Sequence, residues 1–302
     1  MAKILVTGAT GFVGKNLIQY LKAQGLNSEN LNLREPLLPS IFDDAEGGTI
    51  VHLAGKAHDL KNTDATAEYF YVNFELTKQL FELFLVSKAS KFIFISSVKA
   101  VADKIEASLK EDQPPAPATD YGKSKLMAEE YILKQPLPQG KSCFILRPCM
   151  IHGPGNKGNL NLLFNLVAKG IPYPLAAFNN NRSFLGIGNL CFVLNELIER
   201  DDIASGIYNV ADDESISSND LVRLIAMASN KRSLLWKINP VIINALARLG
   251  DFLKLPITTE RLNKLTENYI VDNSKIKSAM GKELPLRVRD NLILTIQSFR
   301  EF

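Results

Sequence analysis

Tyr121 and Lys125, four residues apart in YGKSK, are residues whose types and spacing could do chemistry together. At helical pitch they project from one face. A phenol with its ordinary pKa of about 10 exchanges protons poorly at neutral pH, but an ammonium beside it favours the phenolate and makes it a usable proton-transfer group. Taken alone, the pair reads better as a surface tyrosine with a lysine one turn on, which is common in helices. Two other features keep the chemical reading open. Ser96 and Ser97 close the apolar run KFIFISS (91–97), and Gly8, Gly11 and Gly14 recur at every third position of VTGATGFVGK (6–15), directly behind another apolar run.

Glycines at that spacing, between a strand and the amphipathic stretch FVGKNLIQYLKAQG, exclude side chains where a backbone must approach something closely. The free N–H groups and positive dipole end of the following helix make an anion site, and the pattern suits the pyrophosphate of a dinucleotide. Gly8 and Gly11 let the backbone approach the phosphates, and Gly14 lets the helix pack on the strand. About 20 residues beyond such a loop stands the residue that reads the adenosine ribose. Here LNLRE places Arg34 there, with Glu35 next. Arg34 leans toward a 2′-phosphate and NADP(H), Glu35 keeps NAD(H) open, and a solvated charge pair after an edge strand is the remaining reading.

These residues need elements to carry them. Runs at 3–8, 49–55, 91–97 and 142–148 are continuous apolar stretches separated by helical segments starting near Gly11, Ala67 and Tyr121. That order predicts a parallel, doubly wound α/β sheet covered on both faces. The segment 34–48 is short for a full winding unit, which predicts a truncated one, and the proline-rich 111–120 predicts a surface loop. Beyond 153–159 the pattern loosens: a helix at 160–169, a strand at 206–211, and a helix after SISSND capped by Ser218 or Asn219. The division predicted is a dinucleotide-binding domain over 1–158, rejoined by the chain around 189–211, and a smaller lobe over 159–302.

Composition narrows the classes. The 302 residues are 46% hydrophobic, with 35 Lys and Arg against 32 Asp and Glu, and no basic run marks a nucleic-acid partner. Cys143, Cys149 and Cys191 sit in or beside apolar stretches without metal or redox spacing, so buried reduced thiols and no metal site are expected. No apolar run approaches the roughly 20 residues of a membrane span. With the first strand starting at Lys3, a cytoplasmic protein without signal peptide or membrane insertion is the expectation.

Taken together, TGATGFVG, the strand-end serines and YGKSK resemble the extended short-chain dehydrogenase/reductases. The resemblance runs over nearly the whole chain, through HLAG (52–55), Asn73 in YVNFELTK, LRPCMIHGPG (146–155) and NNRSFLGIGNL (180–190). It implies a Rossmann-type sheet with a smaller C-terminal substrate lobe and NAD or NADP as cofactor. By this similarity Ser97 hydrogen-bonds the reacting sugar oxygen, Tyr121 transfers its proton, and Lys125 binds the nicotinamide ribose and lowers the tyrosine pKa. Ala54, Gly55, Lys56 and Asn73 line the cofactor, as do Phe12, Val13, Leu53, Ser96 and Pro148.

Within that family the chain is similar to nucleotide-sugar 4-epimerases and 4-ketoreductases of surface polysaccharide synthesis. GPGNKGNL would reach the nucleotide through Asn159 and Leu160. Arg182 falls where relatives hold the diphosphate, and Arg261 would add a second cation; each arginine also reads as a solvated surface residue. Val98 and Lys99 stand where dehydratases carry an acid pair, which disfavours dehydration, and His152 replaces a common tyrosine without being assigned to catalysis. The expected activity is 4-epimerisation of a UDP-hexose or UDP-N-acetylhexosamine through a 4-keto sugar. The alternatives are NADPH-dependent reduction of a UDP-4-keto-6-deoxy sugar and, from another class, a non-catalytic dinucleotide-binding regulator. An alcohol or steroid-type reductase would call for a more apolar second lobe than NKGNLN and NNNRS provide. Helices over 67–87 and 121–134 would serve a homodimer.

Overall fold

A computed structural model describes residues 2–35, 39–42, 45–57, 65–156, 159–253 and 258–299. From the N-terminus run β1 (Ile4–Thr7), α1 (Phe12–Ala23), β2 (Ser28–Leu31) and β3 (Thr49–His52). A long broken helix follows, α2 (Ala65–Phe70) and α3 (Leu76–Val86) joined by a π-helical turn at Tyr71–Glu75, and then β4 (Lys91–Ile95). Next come a 3-10 turn at Val98–Ala100, β5 (Ser108–Leu109), α4 (Asp120–Lys134), β6 (Ser142–Pro148) and β7 (Met150–His152). The remainder comprises α5 (Asn159–Ala168), β8 (Asn181–Gly186), α6 (Ile187–Glu199), β9 (Gly206–Val210), β10 (Ser215–Ser217) and α7 (Ser218–Ala228). It ends with α8 (Pro240–Leu253), α9 (Thr259–Thr266), β11 (Ile270–Val271), α10 (Ser274–Met280) and α11 (Val288–Ser298).

Six strands form one parallel sheet in the order β2-β1-β3-β4-β6-β9. The four apolar runs read from the sequence are its central strands, buried on both faces as their continuous hydrophobicity requires. On β4 the alternation is explicit: Ile93 and Ile95 enter the core shared with α1 and α6, while Phe92 and Phe94 enter the one shared with α3 and α4. Between β2 and β3 the described residues hold a single 3-10 turn, Pro39–Phe42, in place of a full crossover helix.

The chain rejoins the sheet through α6, whose Leu190, Val193, Leu194 and Leu197 share a core with Leu17 and Leu21 of α1, and then as edge strand β9. A separate core gathers α5, β8, α7 and α11 around Phe164, Phe184, Ile225 and Leu292. The helix after SISSND is capped one residue earlier than expected. Ser217 ends β10 in extended backbone and its hydroxyl accepts from Asp220 N at 3.0 Å, whereas Ser218 is already helical and accepts from Asn180 Nδ2.

Candidate active site

Tyr121 stands in the first turn of α4, which Thr119 caps by accepting from Gly122 N at 3.2 Å. Gly122 explains how that turn reaches the end of β4, since a Cβ there would lie 2.3 Å from the carbonyl oxygen of Lys99. The glycine of YGKSK thus lets α4 press against the 3-10 turn that follows Ser97. Ser97 caps that turn by accepting from Lys99 N at 3.2 Å, which leaves its own proton to donate. The Tyr121 phenol lies near the Ser97 hydroxyl. Burial holds the Tyr121 pKa above its ordinary 10, the Ser97 hydroxyl works against that rise, and the neighbouring Tyr69 adds to it.

Lys125, one turn further, is 4% exposed. Its Nζ donates to Ile95 O at 2.9 Å and stands 4.8 Å from the centre of the Phe94 ring. Burial lowers its pKa to about 8, against a counter-pull from Glu129. A side chain at Gly55 would come within 3.0 Å of both Lys125 Nζ and Asn73 Oδ1, so the backbone after β3 passes directly over this pair.

Asn73 lies in the π-helical turn, a local widening that often marks functional sites, and is wholly buried. Its amide oxygen accepts from Lys56 N at 2.8 Å, and its nitrogen donates to Lys56 O and Ser124 Oγ, each at 3.0 Å. The Ser124 hydroxyl donates to Tyr121 O at 2.8 Å. From the other side, Thr7 Oγ1 accepts from Leu53 N and Ala54 N and therefore gives its proton to His52 Nδ1 at 2.7 Å. His52 must then carry its proton on Nε2 and donate to Thr77 Oγ1 at 2.8 Å, and Thr77 donates onward to Asn73 O. Burial brings the His52 pKa down to about 3, so the ring is neutral as this chain of bonds requires. One line of hydrogen bonds thus joins the end of β1 to the backbone of Tyr121.

The glycine turn sits beside this line. Gly8 has φ +68°, and a Cβ on it would lie 2.8 Å from Ala54 N; at Gly14 a Cβ would meet Gly8 O at 2.3 Å. No side chain caps α1 and no acidic residue stands in its first turn, so its leading N–H groups face outward for an anion. These features fit a dinucleotide pyrophosphate at Gly8, Gly11 and Gly14, with Leu53, Ala54, Gly55 and Lys56 on one side. Phe12 and Val13 pack on the core behind the turn, as does Leu53, and buried Pro148 ends β6. The Ser96 hydroxyl points elsewhere, donating to Glu129, which also takes Arg147 Nη2 at 2.6 Å in a buried ion pair. Arg34 is exposed just past β2, in a turn where Asn32 Oδ1 accepts from Arg34 N at 3.1 Å and Asn32 Nδ2 donates to Glu35 at 2.7 Å.

In the second lobe, Arg182 lies on β8 next to Tyr269, and burial depresses its pKa while Glu267 and Tyr269 raise it. The Tyr269 hydroxyl donates to Ala102 O at 2.7 Å, which ties this part of the lobe to the segment following Ser97. The Leu160 side chain joins the core around Phe164 and Val167, and the side chain of Asn159 lies outside the described residues. Arg261 is exposed on α9. His152 is buried with Nδ1 at 2.8 Å from Thr295 Oγ1, and burial takes its pKa to about 4. Among the described residues, no cluster of His, Cys, Asp or Glu fits a metal ion and no helix is long and apolar enough to cross a membrane.

His52, Thr77, Ser124, Glu129 and Arg147 were not singled out in the sequence. A signal existed for the last two: a lone arginine in the apolar run SCFILRP needs a buried counter-charge, and Glu129 is one turn beyond Lys125.

Residues 4–211 match the NAD dependent epimerase/dehydratase family. The chain belongs to that family. It is 31% identical over 317 residues to the UDP-glucose 4-epimerase of Vibrio cholerae, covering 98% of this chain and 95% of that protein. It is 30% identical over 247 residues to the N-acetyl-alpha-D-glucosaminyl-diphospho-ditrans,octacis-undecaprenol 4-epimerase of Escherichia coli O157:H7, covering 76% and 73% respectively. The structure of MoeE5 in complex with UDP-glucose and NAD has the same fold, with a TM-score of 0.78, 19% identity and 99% of each chain covered. This family member is an NAD(P)-dependent enzyme of the nucleotide-sugar epimerase and reductase group, and the non-catalytic alternative falls away.

Proposed function

We propose that the chain is a 4-epimerase of a UDP-hexose or UDP-N-acetylhexosamine, working in the cytoplasm. The observation that carries this reading is the packing of the first turn of α4, with Tyr121, against the turn that Ser97 opens at the carboxyl end of β4, with the Lys125 ammonium one helical turn on. The epimerase named for the Vibrio relative supports the same choice. Ser97 donates to O4 of the sugar and fixes its position, while its oxygen accepts from Lys99 N. Tyr121 removes the proton of the C4 hydroxyl in the first half of the reaction and returns it in the second. Lys125 favours the phenolate through its charge. When bound, the nicotinamide supplies the acceptor and donor of the C4 hydride. Between the halves the 4-keto sugar turns its other face.

In this reading the cofactor lies over residues 1–158 with the return through 189–211, and the nucleotide sugar mainly over 159–302. Arg182 meets the diphosphate, Asn159 and Leu160 border the nucleotide, and Arg261 adds charge at the rim. Pairing of two copies through α3 and α4 is consistent with exposed Val86 and Leu133. Exposed Arg34 favours a second reading, NADPH-dependent reduction of a 4-keto sugar. Incubating the purified enzyme with UDP-glucose or UDP-N-acetylglucosamine and no added cofactor separates the two. Interconversion of C4 epimers supports the epimerase, and turnover only of a 4-keto sugar with equimolar NADPH consumption supports the reductase.

A further inference from the structure

Helix α8 breaks the usual pattern of a surface helix. Its buried contacts come from Ile243, Ala247 and Gly250, spaced to form one narrow face packed on α9 and on the segments carrying Leu175, Phe178 and Ile238. Polar side chains on a helix with so small a buried stripe should occupy most of the remaining surface. Of its 14 residues only Asn244, Arg248 and Asp251 are polar, and they fall on a second narrow stripe at the same spacing. What remains is an apolar face open to solvent: Ile242, Leu246, Leu249 and Leu253 recur at intervals of four, three and four, flanked by Phe252, which is 84% exposed. Trp236, just before the helix, is 57% exposed.

The charge around this face is equally uneven. Residues 231–248 carry four Lys and Arg and no Asp or Glu, whereas the whole chain is nearly balanced at 35 against 32. Asp251, the first acid after that stretch, is held by Thr259, accepting from Thr259 N at 2.9 Å and from the Thr259 hydroxyl. The field presented outward is therefore positive around an apolar, tryptophan- and phenylalanine-bearing centre.

We propose that the outer face of α8 docks the second lobe peripherally on an anionic lipid bilayer. An amphipathic helix with bulky apolar residues on one side and cations beside them settles into the headgroup boundary without spanning the membrane. A second copy of the chain fits less well. A helix of 14 residues is about 21 Å long and about 10 Å across, which offers roughly a quarter of the ~800 Å² per partner that a stable interface uses, and two copies would oppose like charges. The docking is independent of which diphosphate-linked sugar the site takes, because it uses no residue of the site.

Co-sedimentation with vesicles tests it, using phosphatidylcholine alone and phosphatidylcholine mixed with phosphatidylglycerol. The wild-type protein is expected to pellet with the anionic vesicles about tenfold more than with the neutral ones, and to be released by high salt. The double variant Leu249→Glu, Phe252→Glu is expected to lose that binding while keeping its circular dichroism and its turnover of soluble UDP-sugar. Equal pelleting of wild type and variant overturns the proposal. So does sedimentation velocity showing a wild-type dimer that the variant converts to monomer, because the occupant of the face is then a second copy.

Discussion

At the carboxyl end of the sheet, Thr7, His52, Thr77, Asn73 and Ser124 form one continuous line of hydrogen bonds in which the proton on each atom is assigned by its neighbours. The second lobe is organised differently. Asn161 Oδ1, Asn219 Oδ1 and Ser229 Oγ are buried there without a protein partner among the described residues, as are His152 Nε2 on β7 and Asn195 Oδ1 and Asn209 Oδ1 on α6 and β9, and α8 turns most of its apolar surface outward. The first region has a single geometry imposed on it, as a proton-transfer site requires. The second packs around an apolar core with shorter hydrogen-bonded links such as Asn180 to Ser218 and Asn219 to Ala176, and leaves a greasy surface on α8. Chemistry common to a family can reside in the first kind of region, while substrate and partner are read by the second.

The comparison breaks most visibly if the ordered region proves dispensable. Tyr121→Phe should lower turnover ~10²–10⁴-fold while leaving NAD(P) affinity within about twofold, measured by steady-state kinetics and cofactor titration. Near wild-type turnover would remove Tyr121 from the reaction. Glu129→Ala strips the partner from buried Arg147 and should cost ~3–5 kcal/mol in urea unfolding, whereas Phe252→Ser on exposed α8 should stay within about 0.5 kcal/mol. Equal costs at the two positions would erase the distinction between the regions.

Acid sharpens it further. The folded-state pKa of His52 is about 3 against about 6.5 unfolded, so between those values the unfolded chain binds more protons and stability falls as the pH drops. By pH 5 the loss from His52 alone is about 2 kcal/mol, and His52→Gln should flatten that part of the stability profile. A smaller effect belongs to the edge of the cofactor cradle. Arg34→Ala should shift the ratio of NADP(H) to NAD(H) affinity by about tenfold toward NAD(H), and an unchanged ratio would return Arg34 to the solvated surface.

The sheet could be read directly because strands buried on both faces leave uninterrupted apolar runs, and the pairing of Tyr121 with Lys125 because helical spacing alone puts residues 121 and 125 on one side. The π-helical turn could not, since inserting one residue's worth of slack leaves no mark in hydrophobic periodicity, yet it sets where Asn73 points. His52 likewise sits in an ordinary strand-end motif, and its role depends on Thr7 and Thr77, which are distant in the chain. Helical phase carries the Leu160 side chain into the core beside Phe164 and Val167, which the loop motif by itself does not reveal.

The account rests on hydride leaving and returning to C4 of one sugar while Tyr121 handles the O4 proton. UDP-glucose deuterated at C4, incubated with the enzyme in ordinary water and followed by mass spectrometry and NMR, tests this directly. Retention of the label at C4 of the epimerised product is predicted. Loss of the label to solvent, or no epimer at all across UDP-hexoses and UDP-N-acetylhexosamines, would contradict it.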